Sequence, residues 1–377
     1  MFLSVALVAL GLSYGAVILR FASGFRKLTA TWKPVPPARY PSVSVIVAAR
    51  NEADHIAPCV ESILRNDYPK ELLDVTVVDD RSEDDTSEIV SRLAQREPRL
   101  HLIRLAESGT GEAGKRAAIR SGVDRSEADV ILLTDADSRV QPNWIRTMVA
   151  TFEETVLFVS GAVAYESGSG LLHQLLELEL LGLVAVGAGG IAKDRPNMCN
   201  GANVAFRRAT FQEVGGYAGT EGLTSGDDEL LMQKVARMRS GSVAFCPDPL
   251  ALVSTRAPRG IAALFQQRRR WASKGLHYPE VRITLLALLV YAFNFTLLAV
   301  FVGAFWLSAL WPVLLAALLI KILAELWMLW NVCRHFGRLR LVPLTVVGQL
   351  LQIPYVVIVG AAGTLGGYMW KGRETRR

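Results

Sequence analysis

Long apolar stretches at both ends of the chain are the feature that most restricts its fold. An uninterrupted apolar run of about 18 residues or more is a candidate to cross a membrane as a helix. Between about 40 and 280 the sequence has ordinary polar content, which predicts a middle region that folds in water. The apolar stretches are 2–19, 283–309 and 343–370, which carry no charge, and 310–332, in which Lys321 and Glu325 lie four residues apart and can pair on one helix face.

The first apolar stretch has the features of an uncleaved anchor more than those of a signal peptide. No positive charge precedes it, and Arg20, Arg26 and Lys27 follow it. Because basic residues mark the inner face of a membrane, we expect a multi-pass protein of the plasma or inner membrane with its middle domain in the cytoplasm. The expected regions are an anchor at 1–24, a linker at 25–41, a folded domain at 42–258, an amphipathic interfacial helix at 259–280, a membrane region of about three segments at 281–370 and a basic tail at 371–377.

Two basic clusters near the carboxyl end do not fit one simple crossing pattern. Arg334, Arg338 and Arg340 predict a loop on the inner face, and the basic tail predicts another. Only one apolar segment separates the two clusters. Either 343–370 forms a re-entrant or hairpin element around Pro354, or the tail departs from the rule.

The formal net charge of +6 does not by itself indicate nucleic acid as a partner. Nucleic-acid binding requires basic residues concentrated on one face with interleaved aromatic side chains. Here the basic residues gather beside the membrane segments, where attraction to anionic lipid explains them, and we expect no nucleic-acid partner. The 4 cysteines have no metal-ligand spacing and are expected to be reduced.

The middle region alternates between apolar strands and helical segments. Strands are predicted at 42–49, 74–80, 100–105 and 129–137, with helices between them. This alternation predicts an α/β fold with a mostly parallel sheet, in which ligands bind at the carboxyl ends of the strands.

Acidic side chains follow two of these strands and begin a later helix. Asp135 and Asp137 end the fourth strand, where two carboxylates one residue apart can meet Mg²⁺ or Mn²⁺ together with a substrate phosphate. Asp79 and Asp80 end the second strand, where helix capping is an equally good explanation. Asp227, Asp228 and Glu229 begin a helix and suit its dipole, but they also offer a carboxylate that can take a proton.

The stretch "SGTGEAGKR" at 108–116 has the glycine spacing of phosphate-binding loops. A P-loop requires Ser or Thr after its lysine to hold magnesium, and this chain has Arg116 there. A strand before and a helix after the stretch are both plausible, so the stretch alone leaves phosphate binding open.

Two further segments indicate a membrane surface. The apolar segment 170–193 is interrupted by charged residues, so we expect an interfacial helix in preference to a span. Gln267 and Arg270 share a helix face in the basic segment 259–275, and Trp271 adds a flat apolar surface beside a guanidinium that can bind phosphate.

In this order and spacing the motifs resemble those of the membrane-bound family 2 glycosyltransferases, which have a GT-A fold. The Gln-x-x-Arg-Trp motif is similar to that of ceramide glucosyltransferases and processive polysaccharide synthases. The resemblance extends from about Ser42 to Trp271 and through the flanking spans. It rests on "VIVAARNEADHI", "VVDDRSEDDT", "GKRAAI", "TDAD", "CNGANVAFRR", "SGDDEL" and "QRRRW".

The resemblance implies inverting transfer of a sugar from a nucleoside-diphosphate donor, most often UDP-linked, with a divalent metal. Asp80, with Asp79 beside it, would contact the base, and Asp135 the ribose or diphosphate. Asp137, with Asp135, would hold the metal, and Lys115 would lie near the nucleotide outside any P-loop. The other implied contacts are Ala48, Arg50 and Glu52 to the donor, and Gln267, Arg270, Trp271, Asn200 and Asn203 to the acceptor or diphosphate.

The identity of the base depends on how the segment 226–229 is aligned with the family pattern. Alignment through Glu229 and Leu230 points to Asp227, which we favour, whereas counting from the acidic pair points to Asp228. The expected activity is hexosyl transfer to a membrane-associated acceptor, with a lipid favoured over a growing polysaccharide. An inactive membrane scaffold is the other class of function, and it predicts the loss of one of these acids. A polyprenyl-phosphate sugar synthase would lack the Gln-x-x-Arg-Trp helix.

Overall fold

The computed structural model describes residues 2–105, 114–219, 226–273, 280–364, 368–370 and 373–375. The helices are α1 (Phe2–Thr31), α2 (Ile56–Leu64), α3 (Thr86–Ala94), α4 (Lys115–Arg125), α5 (Trp144–Val149), α6 (Leu171–Ile191), α7 (Arg208–Glu213), α8 (Asp227–Met238), α9 (Gly260–Ala272), α10 (Val281–Gly303), α11 (Trp311–His335) and α12 (Leu344–Thr364). The strands are β1 (Val43–Ala49), β2 (Leu73–Asp79), β3 (Leu100–Arg104), β4 (Val130–Asp135), β5 (Phe158–Gly161), β6 (Val163–Tyr165), β7 (Val204–Arg207), β8 (Val243–Cys246), β9 (Val253–Thr255), β10 (Tyr368–Trp370) and β11 (Arg373–Thr375).

A seven-stranded sheet of order β3-β2-β1-β4-β7-β5-β8 forms the centre of the folded domain. The pairings of β1 with β2 and β4, of β2 with β3 and of β5 with β8 are parallel, and only β7 pairs antiparallel to its neighbours. The predicted α/β class with a mostly parallel sheet is therefore confirmed. Ala48 pairs with Asp135 and Ala49 with Asp79, so the acids that end β2 and β4 lie at one edge of the sheet.

The sheet is buried on both faces, because alternate residues of each strand enter different hydrophobic cores. Val45 and Val47 of β1 pack with α2 and α5, whereas Ile46 packs on the other face with α4 and α6. This explains why β1 is an uninterrupted apolar run without polar alternation.

Among the described residues, five helices are long and apolar enough to cross a membrane: α1, α6, α10, α11 and α12. The last three lie in 281–370, for which the sequence predicts about three membrane segments. α1 continues to Thr31, seven residues beyond the expected end of the anchor, because the basic residues that follow the apolar run are good helix formers. α12 runs without a break through Pro354, so the hairpin alternative is wrong. Of the predicted basic tail, residues 371, 372, 376 and 377 lie outside the described residues.

The helix α6 connects the folded domain to the candidate membrane helices. It packs against α1 and α11 and also against β6 and β8. A Cβ on Gly24 would lie 2.5 Å from the carbonyl oxygen of Gly189, so α1 and α6 meet backbone to backbone. The interfacial placement of 170–193 stays a prediction, because α6 also has the length and composition of a span.

A buried polar network joins α1, α11 and α12. Lys321, which is 0% exposed, pairs with Glu325 as the sequence predicts, and it donates to Gln349 Oε1 at 2.6 Å and Gln352 Oε1 at 2.8 Å. The hydroxyl of Tyr14 donates to Glu325. The buried charges therefore have partners from three helices, as charged groups among apolar helices require.

Candidate functional site

A cleft of about 510 Å³ opens at the edge of the sheet where β1, β2 and β4 end. Its walls come from strand ends, from α6, from the start of α8 and from α9, so segments far apart in sequence meet there. The predicted site residues that line it are Ala48, Arg50, Glu52, Asp80, Lys115, Asp135, Asp137, Asn200, Asp228, Gln267, Arg270 and Trp271. Of the described residues predicted for the site, Asp79, Asn203 and Asp227 do not line it.

The turns after β1 and β2 are joined by hydrogen bonds. Asn51 and Arg81 have left-handed backbone angles, with φ of 52° and 58°, which non-glycine residues rarely adopt. Arg50 donates to the carbonyl oxygens of Asp80 at 2.9 Å and Arg81 at 3.0 Å. The Asp80 carboxylate in turn accepts from the backbone N–H of Gly114 at 3.0 Å. These contacts hold Asp80 in the cleft wall.

Lys115 lies among the carboxylates of the cleft. Its Nζ donates to Asp135 Oδ1 at 2.7 Å and lies 3.9 Å from Asp228 Oδ2. Burial alone would lower the pKa of Lys115, but the carboxylates of Asp135, Asp228 and Asp227 raise it above its ordinary value, so Lys115 remains cationic. Arg116, where a P-loop would have Ser or Thr, is ion-paired with Asp227. Residues 108–113 of the glycine-rich stretch lie outside the described residues.

Asp135 and Asp137 supply a hard oxygen donor set that fits a divalent cation. Both side chains are half-buried, and Asp137 Oδ1 lies 3.4 Å from the hydroxyl of Thr255. In the described part of the chain no group of three or more His, Cys, Asp or Glu residues could hold a metal by itself. A cation held by these two carboxylates would therefore complete its coordination with other oxygen ligands, from water or from a substrate phosphate, as Mg²⁺ and Mn²⁺ commonly do.

Asp228 is a buried carboxylate at the start of α8 that lines the cleft, as does the neighbouring Glu229. Burial raises the pKa of Asp228 to about 6, Lys115 opposes that shift, and Asp227 and Asp135 add to it. Within the described part of the chain its Oδ1 has no hydrogen-bond partner. Asp227, by contrast, is ion-paired with Arg116 outside the cleft. The geometry therefore favours Asp228 as the proton acceptor, against our preference from the sequence.

Gly201 makes room for the carboxylate of Asp228. A Cβ at this position would lie 1.7 Å from Asp228 Oδ2, which no packing permits. We expect Gly201→Ala to displace Asp228 and to lower kcat about tenfold or more, while the thermal midpoint changes little. The measurement is turnover and thermal unfolding of the purified variant. Gly241→Ala is the control, because Gly241 has a φ of +73° that strains any substitution but does not line the cleft. Unchanged turnover in Gly201→Ala would contradict this placement of Asp228.

Two predicted site residues have structural roles. Asn203 is 0% exposed and accepts from Trp144 Nε1 at 2.9 Å, while its amide donates to the carbonyls of Ala162 and Ala251, each at 2.8 Å. The predicted acceptor contact by Asn203 is therefore wrong, because its side chain is fully used in the core. Asp79 accepts hydrogen bonds from the Ser82 backbone N–H and hydroxyl. These bonds close the turn between β2 and α3, in which Asp80 lies.

Thr255 and Arg256 also line the cleft, with the Thr255 hydroxyl 3.4 Å from Asp137 Oδ1, although the sequence patterns did not indicate either residue. They reach the cleft because Ser254 pairs with Arg139, which follows the acids of β4. No local pattern marks these residues, since the pairing joins segments more than a hundred residues apart.

The chain is similar to glycosyltransferases over most of its length. The family model described as "Glycosyl transferase family 2" matches residues 44–215, and the one described as "Glycosyl transferase family group 2" matches residues 130–358. Together they include the folded domain and the helices that follow it.

Three of the relatives share between 22% and 29% of the aligned residues with this chain. The Probable glycosyltransferase YdaM of Bacillus subtilis is 25% identical, over 74% of this chain and 67% of its own length. The Beta-monoglucosyldiacylglycerol synthase of Synechocystis is 29% identical, over 66% of this chain and 53% of its own length. The Poly-beta-1,6-N-acetyl-D-glucosamine synthase of Staphylococcus aureus is 22% identical, over 62% of this chain and 54% of its own length. The chain thus spans about half the length of the latter two.

Among solved structures, the Mannosyltransferase PcManGT from Pyrobaculum calidifontis, in complex with GDP-Man and Mn²⁺, aligns with a TM-score of 0.58. The alignment covers 96% of this chain and 99% of that one at 20% identity, a similarity that shows the fold alone.

Proposed function

This chain belongs to the family 2 glycosyltransferases, and from that premise we propose that it transfers a hexose from a UDP-linked donor to a membrane-associated lipid, with inversion at the anomeric carbon. It is a hexosyltransferase with a GT-A fold and helices long enough to cross a membrane. The donor, the acceptor, the metal and the cytoplasmic placement of the cleft are the parts that we propose.

The observation that carries the proposal is that the cleft has both charged and apolar lining residues. Carboxylates and cations that suit a nucleoside diphosphate line it, and so do Leu180, Leu183 and Val184 of α6. Because α6 packs against α1 and α11, this apolar wall is continuous with the candidate membrane helices. An acceptor with a hydroxyl on an apolar body fits such a wall. The Synechocystis relative is a Beta-monoglucosyldiacylglycerol synthase, and its name is in keeping with a lipid acceptor.

Asp137 and Asp135 are the residues that would hold Mg²⁺ or Mn²⁺. A bound divalent cation would neutralise negative charge on the diphosphate as it leaves. The mannosyltransferase with the same fold was solved in complex with GDP-Man and Mn²⁺, which is in keeping with the use of a divalent cation.

The protein's own groups provide the rest of the chemistry. Asp228 would take the proton of the acceptor hydroxyl as its oxygen attacks the anomeric carbon, while the bond from that carbon to the diphosphate oxygen breaks on the opposite face. Arg270 and Lys115 would hold positive charge near the diphosphate, where negative charge increases. Trp271 and the α6 wall would keep water from competing with the acceptor.

The test is to incubate the purified protein, in vesicles that contain diacylglycerol, with radiolabelled UDP-hexoses and Mn²⁺. We expect the label in a small lipid product soluble in organic solvent, formed about 10³-fold more slowly with Asp228→Asn. Label in a high-molecular-weight glycan would instead favour a polysaccharide synthase. The Staphylococcus aureus relative is named as an enzyme of that class. Donor binding without any transfer would favour the inactive scaffold.

A further inference from the structure

Arg268 is buried behind the cleft-lining residues of α9. Its side chain is 3% exposed, and of the described residues it is not one that lines the cleft. The guanidinium lies 4.1 Å from the centroid of the Trp271 ring, and Nη1 donates to Gln267 Oε1 at 2.8 Å. One buried cation therefore contacts two of the three α9 residues that face the cleft.

The charge of Arg268 is matched by a carboxylate from another helix. Glu179 of α6 accepts from Arg268 Nη2 at 2.6 Å, and it also accepts from the Tyr355 hydroxyl of α12 at 3.1 Å. Burial alone would lower the pKa of Arg268, but the Glu179 carboxylate raises it above its ordinary value. The pair thus ties α9 to α6 and α12 at one point.

We propose that Glu179 and Arg268 are positioning residues that hold Gln267 and Trp271 in their cleft-facing orientation. The inference rests on the proposed function for what those two residues do with substrate. A planar guanidinium suits this task, because it can stack on the indole while its two amino groups reach Gln267 and Glu179. Loss of Glu179 would leave a buried cation without its partner, and Arg268 would then leave the Trp271 ring to reach water.

The chain contains a matched control on the same helix. Glu177 is 0% exposed and accepts from Arg338 Nε at 2.8 Å, beyond the end of α11. Glu177 and Glu179 are therefore both α6 carboxylates paired with arginine, but the first pair faces α11 and the second faces α9. Replacement of either glutamate should lower the stability of the protein. Only replacement of Glu179 should change the orientation of the residues that line the cleft.

The experiment compares Glu179→Gln, Arg268→Lys and Glu177→Gln in full-length protein in lipid nanodiscs. Hydrogen exchange of residues 260–272 is measured without substrate, and kcat and the KM for UDP-hexose are measured with it. We expect Glu179→Gln and Arg268→Lys to lose protection in 260–272 and about tenfold or more in kcat, with the donor KM changed less than kcat. Glu177→Gln should lower the thermal midpoint but leave both readouts near those of the wild type.

The outcomes separate the two proposals. If Glu179→Gln keeps wild-type protection and kcat, or if Glu177→Gln changes both equally, the positioning role is wrong. If protection changes as expected but the wild type transfers no hexose, the positioning role stands and the proposed function fails. Should Glu179→Gln not fold, the double variant Glu179→Gln, Arg268→Gln removes both charges and is expected to fold with the same loss of kcat.

Discussion

Replacement of Asp228 by asparagine is expected to lower kcat by about 10³-fold and to leave UDP-hexose binding nearly unchanged. The asparagine has the same shape but cannot accept the proton of the acceptor hydroxyl, a contribution that is commonly 10²- to 10⁴-fold. Asp228 faces the cleft with a buried oxygen, so the loss should fall on turnover. The measurement is steady-state hexosyl transfer together with direct titration of UDP binding.

Asp227→Asn is the matched control, since the neighbouring carboxylate is also buried at the start of α8. It is ion-paired with Arg116, so its loss should reduce stability and reduce kcat much less than the loss of Asp228. If Asp227→Asn is the more damaging to kcat at equal donor binding, the assignment of the base is reversed. If both variants retain turnover, the base lies elsewhere.

The pH dependence gives a second measurement of the same assignment. A base must be deprotonated to act, and burial raises the pKa of Asp228 to about 6. The value of kcat/KM should therefore rise with pH up to about 6 and level off above it.

The pH dependence of stability has the opposite sign. Because the ordinary pKa of an aspartate is 3.8, the folded state loses stability as pH rises from about 4 to about 6. Asp228→Asn should consequently show a thermal midpoint at or above that of the wild type at pH 8, which a misfolded variant would not.

Asp137→Asn is expected to lower metal-dependent transfer by about 10²-fold or more and to weaken Mn²⁺ binding. An amide oxygen carries no net charge, and Asp137 is one of only two carboxylates that end β4 in the cleft. The measurement is activity against Mn²⁺ concentration after chelation, with Mn²⁺ binding in the presence of UDP measured in parallel.

Asp129→Asn provides the comparison for this variant. Asp129 precedes the same strand at the opposite edge of the sheet, where it accepts from the Ser42 hydroxyl at 2.8 Å. Its replacement should affect stability and leave the Mn²⁺ dependence unchanged. A normal Mn²⁺ dependence in Asp137→Asn would remove that residue from the metal site.

The sequence predicted the strands at the centre of the sheet and most of the cleft-lining residues. The runs that became β1, β2 and β4 are apolar throughout and end in polar residues, which is the local signature of buried parallel strands. Parallel pairing then places Asp80 and Asp135 at one edge whatever the details of packing. The later strands were not predicted, because β5 to β9 have only three or four residues each and too little periodicity to recognise.

The amino-acid sequence by itself determined the family, the order of the long apolar helices and the α/β segments, and the acids at the strand ends, because these follow from local composition and motif spacing. The tertiary structure decided that Asp228 and not Asp227 lines the cleft, that Asn203 belongs to the core, and that Arg268 meets Glu179. These outcomes depend on contacts between segments distant along the chain, where side-chain direction and burial are set by packing and not by neighbouring residues.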